Sequence, residues 1–330
     1  LIIDAVLGTG SRGAPRGAAR TAIELINGAA AKVLAADLPS GVDADTGAVA
    51  GAAVLADATV TFALPKIGLL FGPGRELAGT WTAVDIGMPR QLLTGGTRHV
   101  VTADLVRDFL PVRPPAGHKG TFGRVLVVAG SQGMAGAAML AAQGAQRVGA
   151  GLVQLAGPEM LHDVFAVGVP EAISLPLAQV NGTVAASGAE EVLAAAQEAA
   201  AIVIGPGLGR SDDVRSLVKR VVADASARVP VVVDADGLNA LAEAGVLGRP
   251  SGGRLAGQGA GLVLTPHPGE MARLCGVTAA DVVARPLEFA ERYAQQWGAI
   301  VVLKSSPTVV ADPQGHSYIN STGSAALASG

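Results

Sequence analysis

"GRVLVVAGSQGMAGAAMLAAQGAQRVGAGLVQLAG", residues 123–157, is the stretch that decides the fold of this chain. "RVLVVAG" (124–130) is a β-branched run of strand length that ends on glycine. "GAAMLAAQGAQRVGA" (136–150) has helical length, with one internal glycine at Gly144, and "LVQLAG" (152–157) is a second strand. Strand, helix and strand in close succession is the pattern of a parallel α/β sheet. Downstream, "AIVIGPGLG" (201–209), "PVVVDADGLNAL" (230–241), "GLVLTPHPGEMARL" (261–274) and "AIVVLKSSPTVVA" (299–311) each place turn chemistry directly after a strand. Open α/β sheets bind ligands beyond the carboxyl ends of their strands, so these loops are expected to share one face.

The alternation also runs upstream. Strands are expected at "LIIDAVL" (1–7), "KVLAAD" (32–37), "ATVTFAL" (58–64) and "TWTAVDI" (80–86), with a helix at "GAARTAIELINGAAA" (17–31). One helix is few for a doubly wound domain, which leads us to expect that the first unit lacks an N-terminal portion. Residues 87–120 mix Pro, Gly and charge with little periodicity, and "RPPAG" continues neither a helix nor a central strand. The expected domains are therefore 1–93 and 97–330.

Composition narrows the function. The chain has 330 residues, 50% of them hydrophobic, enough for two cores. Charged residues make up 15% and the formal net charge is −3, which gives no electrostatic footprint for nucleic acid. The single cysteine, Cys275, forms no internal disulfide and reads as a small apolar packing residue in a reducing compartment. No apolar run reaches the roughly 18–20 residues that span a bilayer, and no signal peptide is recognisable at residue 1. A cytoplasmic protein with no membrane partner is expected.

Two loops of the first part bear chemistry. In "AADLPSGVDADTG" (35–47), Asp37 ends a strand and Pro39–Ser40–Gly41 turns the chain; alone this is as readily an Asx-type turn as a site. "DAVLGTGSRGAPRG" (4–17) is a second strand end, opening into a glycine-rich loop with Arg12 and Arg16. Together they describe an anion-tolerant pocket that contains a carboxylate. With "TVTFALPKIGL" (59–69), the three ordered motifs resemble the NAD(P)H-hydrate epimerase domain over residues 1–90. The resemblance implies a Rossmann-like domain in which Asp4 and Ser40 help to bind K+. It further implies that Gly8, Thr9, Gly10, Ser11, Arg12, Gly13 and Ala14 contact the hydrated nucleotide, and that Asp37 is the catalytic acid/base. The family's earlier Asn/Gly-rich loop is not in the sequence, so this half-site is expected to be inactive as the chain stands.

In the second part, "GPGLG" (205–209) by itself is no more than a tight turn. "TPHPGE" (265–270) says more, because Pro268 suits the first helical position and puts His267 at the N-cap, on the ligand side. A histidine there is as readily structural as functional. With "HKGTFGRVLVVAGS", "GAGL", "DADGLNAL" and "VVLKSSPTVVA", these motifs resemble the ADP- or ATP-dependent NAD(P)H-hydrate dehydratase family. That resemblance implies a ribokinase-like fold. It also implies that Ala137, Gly207 and His267 contact the hydrated nucleotide, and that Lys304, Ser305, Ser306, Pro307 and Thr308 contact the adenine nucleotide with Mg²⁺. Here "LKSSPT" departs from the family's L-K-G pattern; Pro307 removes an N–H and restricts φ.

The whole chain thus resembles the bifunctional NAD(P)H-hydrate repair enzymes, with the epimerase first and the dehydratase second. In that family the closing "NSTGSAALASG" (320–330) runs on into a Gly-Asp segment and a helix, which hold the base and an anion hole, so a C-terminal truncation is expected too. The implied reaction phosphorylates the ring hydroxyl of the S-hydrate from ADP, then expels phosphate to restore NADH or NADPH, with AMP as the other product. A homo-oligomer is expected. Two alternatives stay open: a ribokinase-like small-molecule kinase for a vitamin precursor, and a non-catalytic nucleotide-binding module.

Overall fold

A computed structural model of the chain describes residues 1–247, 261–323 and 326. The chain divides into two compact units, Leu1–Val100 with Ile319–Gly330, and Val101–Tyr318.

The first unit is built on a parallel sheet of four strands in the order β1 (Ile2–Asp4), β2 (Val33–Ala36), β3 (Ala58–Phe62) and β4 (Thr80–Val84). The register pairs Asp4 with Ala35, Ala36 with Val60 and Phe62 with Val84. The carboxyl ends of β1, β2 and β3 therefore fall on one edge, where Asp4, Asp37 and Phe62 meet the loops. Helix α1 (Gly17–Gly28) connects β1 to β2 and buries Ile23 against Val33, Ala35, Val54 and Ala56. A second cluster of Leu38, Val42, Ala44, Leu69 and Ala78 packs around the turn that follows β2. These are the expected strands and helix, each shortened at its ends.

The segment between 87 and 120 is more regular than its composition suggests. It holds a helical turn at Arg90–Leu93, a strand at Arg98–Val100 and a helix at Ala103–Phe109. Thr102 caps the last of these, its hydroxyl accepting from Leu105 N at 3.2 Å. Elements of four, three and seven residues are too short for a hydrophobic period to show.

The main sheet of the second unit includes β5 (Arg124–Val128), β6 (Leu152–Pro158), β7 (Ile173–Leu177), β8 (Ala201–Ile204), β9 (Val231–Val233), β10 (Leu262–Leu264), β11 (Ile300–Leu303) and β12 (Thr308–Ala311). They lie in the order β7-β6-β5-β8-β9-β10-β11-β12. All pair in parallel except β12, which returns antiparallel to β11. The central strands are covered on both faces, so Leu126, Val127 and Val128 are all fully buried, as a continuous apolar run requires. Helix α2 (Ala135–Arg147) follows β5. Helix α3 (Asp212–Ala225) starts at Ser211, whose hydroxyl accepts from Val214 N, with Asp212 and Asp213 in its first turn. Helices α4 (Asp236–Glu243) and α5 (Pro268–Cys275) open directly from the loops after β9 and β10. Helix α6 (Pro286–Trp297) buries Phe289, Tyr293 and Trp297 on one face, with ring centroids 5.9 and 4.8 Å apart.

From β5 the chain moves outward through β6 and β7, then returns to place β8 on the other side of β5. The strand order reverses there, and the crevice above the carboxyl ends of β5 and β8 is where such a sheet accepts a ligand.

Candidate functional site

In the first unit Asp4 is fully buried. Its Oδ1 accepts from the Ser40 hydroxyl at 2.6 Å and from Val6 N at 3.3 Å, while Oδ2 accepts from Ser40 N at 2.8 Å. Ser40 Oγ in turn accepts from Leu7 N at 2.8 Å, tying the loop after β1 to the turn after β2. That turn needs glycine at Gly41, with φ +94° and the place of a Cβ only 2.3 Å from Ala52 O. The neighbouring turn residue Asp37 is a non-glycine at φ +72°. Its Oδ1 accepts from Phe62 N at 2.9 Å, from Thr61 Oγ1 at 3.2 Å and from Lys66 Nζ. Among the described residues no donor is bonded to Asp37 Oδ2.

Of the glycine loop, Ser11 and Gly13 line a cavity of about 110 Å³ with Leu7, Gly41, Val42 and Asp43. Arg12 turns toward acids, 2.6 Å from Asp45 and 3.5 Å from Asp43. Burial pushes the Asp43 carboxyl up, but the Thr46 hydroxyl, the Asp45 and Thr46 N–H groups and Arg12 together outweigh it and hold it below the ordinary value.

In the second unit the loops after β5 and β8 are fastened together. Gly130 N donates to Pro206 O at 2.9 Å, and Ser131 Oγ donates to Gly207 O at 2.8 Å. A Cβ at Gly207 would lie 3.0 Å from the Ala137 Cβ, so these two expected substrate contacts are neighbours at the reversal of strand order. Gly205, Gly207 and Gly209 all have positive φ. His267 is the N-cap of α5 and Pro268 its first residue, as the sequence suggests. His267 Nδ1 accepts from Gly269 N at 3.0 Å, and the nearly buried Glu270 accepts from His267 N at 2.8 Å, closing a capping box.

The stretch Lys304–Thr308 forms the turn from β11 into β12. Ser305 Oγ donates to Pro307 O at 2.7 Å and Thr308 Oγ1 to Ser305 O at 3.0 Å, so two hydroxyls close the turn that Pro307 leaves one N–H short. Lys304 Nζ reaches across β10 to Asp234 Oδ1 at 2.6 Å, where Thr265 Oγ1 also donates at 2.8 Å. Cys275 is half-buried, and burial pushes its thiol up to about 12. Of the stretch 320–330 only residues 320–323 and 326 are described; the remainder of that expected loop lies outside the described residues.

Four residues the motifs did not single out stand in these networks: Lys66, Asp234, Thr265 and Asp236, whose Oδ2 accepts from Gly209 N. Lys66 lies inside a quoted motif, and both aspartates lie in "DADG". Their partners, however, are set by strand order and not by spacing along the chain.

Two α/β units, the second with a ribokinase-like fold, are therefore joined in one chain. A solved ribokinase-like superfamily protein from Enterococcus faecalis shares that fold at TM-score 0.59 and 22% identity, covering 71% of this chain and 75% of its own. The family model of NAD(P)H-hydrate dehydratase matches residues 125–330, and that of the YjeF-related protein N-terminus matches residues 1–68. The chain belongs to the NAD(P)H-hydrate dehydratase family, preceded by a YjeF-type N-terminal unit.

The solved ADP/ATP-dependent NAD(P)H-hydrate dehydratase of Bacillus subtilis, co-crystallised with ATP/Mg²⁺, is 33% identical at TM-score 0.56, over 70% of this chain and 76% of that one. The bifunctional NAD(P)H-hydrate repair enzyme Nnr of Moorella thermoacetica is 43% identical over 99% of this chain and 61% of its own length. That of Escherichia coli is 36% identical over 100% and 60%. The chain thus spans about three fifths of the length of these curated relatives. Neither alternative reading, vitamin-precursor kinase or non-catalytic module, is favoured by these matches. Among the described residues no helix is long and apolar enough to cross a membrane.

Proposed function

We propose that this protein repairs hydrated NADH and NADPH, its first unit interconverting the R and S hydrates and its second dehydrating the S-hydrate with ADP. The observation that carries the reading is that both sets of motif loops sit at the carboxyl ends of parallel strands, each beside a lysine–carboxylate pair.

For epimerisation, Asp37 Oδ2 gives a proton to the departing ring hydroxyl as the ring nitrogen's lone pair breaks the C–O bond. Water then adds to the other face of the cationic ring and returns a proton to Asp37. Asp4 and Ser40 are the residues to hold K+, which would screen the buried carboxylate and orient the diphosphate. They fit a hard monovalent cation, because Asp4 is a fully buried carboxylate whose hydrogen-bond partners are all neutral.

For dehydration, the ring hydroxyl oxygen attacks the β-phosphorus of ADP, AMP leaves, and the hydroxyl proton passes to a base. Ring nitrogen then expels phosphate, and loss of a proton from the adjacent carbon restores the double bond. Gly207, Ala137 and His267 orient the hydrated ring, while Lys304–Thr308 hold the adenine nucleotide. Mg²⁺ would be held largely through the nucleotide's own phosphates, which supply the hard oxygen ligands it prefers. A cytoplasmic setting and a homo-oligomer complete the proposal; light scattering on the purified protein tests the latter.

The test is recovery of NADH absorbance from hydrated NADH with ADP, and chromatographic interconversion of the two hydrates without it. Hydrate turnover in neither assay, with phosphorylation of an added small alcohol instead, would support the kinase alternative.

A further inference from the structure

The turn Asp234–Ala235–Asp236, between β9 and α4, belongs to none of the expected contacts, yet the loops on both sides are bonded to it. Ala235 sits at φ 50° and ψ −116°, a conformation that favours glycine and that an alanine holds only when its surroundings impose it. What surrounds it is specific. Asp236 Oδ2 accepts from Gly209 N at 2.9 Å, and Asn239 Nδ2 donates to Asp236 Oδ1 at 3.3 Å. Arg273, on the helix that His267 caps, donates to Asn239 Oδ1. Gly209, Asp236, Asn239 and Arg273 thus form one chain of hydrogen bonds from the glycine loop to the His267 helix. On the other side, Asp234 Oδ1 holds Lys304 Nζ and the Thr265 hydroxyl. The other two N–H groups of Lys304 have no partner among the described residues, and its side chain is 42% exposed. One N–H of the ammonium is held by the Asp234 carboxylate, and two are left to donate.

We infer that Asp236, with Asn239, is the positioning residue of the hydrated-nucleotide half of the site, and that Asp234 is the positioning residue of the diphosphate half. The inference rests on the reading that Gly207 and His267 face the hydrate and Lys304 the adenine nucleotide. Asp236 fixes the glycine loop relative to His267, so its removal loosens the hydrate's frame and leaves Lys304 alone. Asp234 aims the ammonium at an anion, so its removal frees a flexible lysine to wander and leaves the glycine loop alone. Ala235 sends the two carboxylates to opposite sides of the turn.

Titration of ADP and of hydrated NADH, each alone, into the protein by calorimetry tests this. Asp236→Ala is expected to weaken hydrated NADH roughly tenfold or more, the scale of a hydrogen bond to a charged group, with ADP affinity within about twofold of wild type. Asp236→Asn, which keeps an acceptor for Gly209 N, is expected to restore most of the loss. Asp234→Ala should show the opposite selectivity. Equal weakening of both ligands by each variant, or weakening of neither, overturns the inference. Two control variants separate this from failure of the underlying reading. Lys304→Met must weaken ADP and His267→Asn must weaken hydrated NADH; if neither does, the site assignment itself falls and takes the inference with it.

Discussion

Lys66 donates to the same oxygen of Asp37 that Phe62 N and Thr61 Oγ1 occupy, and among the described residues no donor is bonded to the other carboxylate oxygen, at the carboxyl ends of the strands. Both side chains are 19% exposed, so the pair is partly shielded from water and worth more than a surface ion pair. In the full-length protein, Asp37→Asn is expected to abolish interconversion of the hydrates without loss of fold. Lys66→Met is expected to lower kcat by about 10–100-fold, by releasing the carboxylate from its orientation, with a smaller change in KM. Lys66→Arg should recover part of it. Wild-type epimerisation by the Asp37 variant would remove this carboxylate from the chemistry.

His267 caps a helix, and its proposed contact with the hydrate can be tested apart from that cap. As an N-cap its loss costs about 1 kcal/mol of stability, within a range of roughly 0.5–2. His267→Asn keeps a cap acceptor and discards the imidazole, whereas His267→Ala discards both. If the ring contacts the hydrate, both variants lose hydrated-nucleotide affinity while only alanine lowers Tm. Parallel behaviour of Tm and affinity across the two would mean that capping is the whole of its role.

Cys275 is predicted to be inert. With its thiol pushed up to about 12 by burial, almost none is thiolate at pH 8. Iodoacetamide at that pH should label it only at the rate of unfolding, and in guanidinium at the rate of a free cysteine. Fast labelling of the native protein would show that the helix ending at Cys275 opens readily.

Asp43 gives a pH dependence of defined sign. Its carboxyl is held below its ordinary value of 3.8, so it binds protons less readily folded than unfolded. Its contribution to stability is present in full above that value and fades as pH falls below it. Asp43→Asn should lower Tm at pH 7, by an amount that shrinks as the pH is taken progressively below 3.8. A constant penalty across that range would assign the loss to packing.

Much of this was legible beforehand, and the reasons differ by residue. The β-branched runs stand out because buried parallel strands are apolar on both faces. His267 was readable because Pro268 fixes a helix start. The pairing of Asp37 with Lys66 spans 29 positions, and that of Asp234 with Lys304 spans 70. Each depends on which strands are neighbours, a fact no local pattern contains. The helix from Ala103 to Phe109 was not legible, because seven residues are too few for a hydrophobic period to emerge.

Gly205 limits how this protein can change. A Cβ there would fall 1.9 Å from Asp234 O and 2.7 Å from Gly237 N, so one methyl group would pry apart the loop and the turn. A saturation library should therefore reject every replacement at 205, even alanine, whereas exposed positions of the same unit such as Val148 and Val167 accept many. New ligand preferences have to be sought in residues around this contact, since its own atoms have no room left to vary.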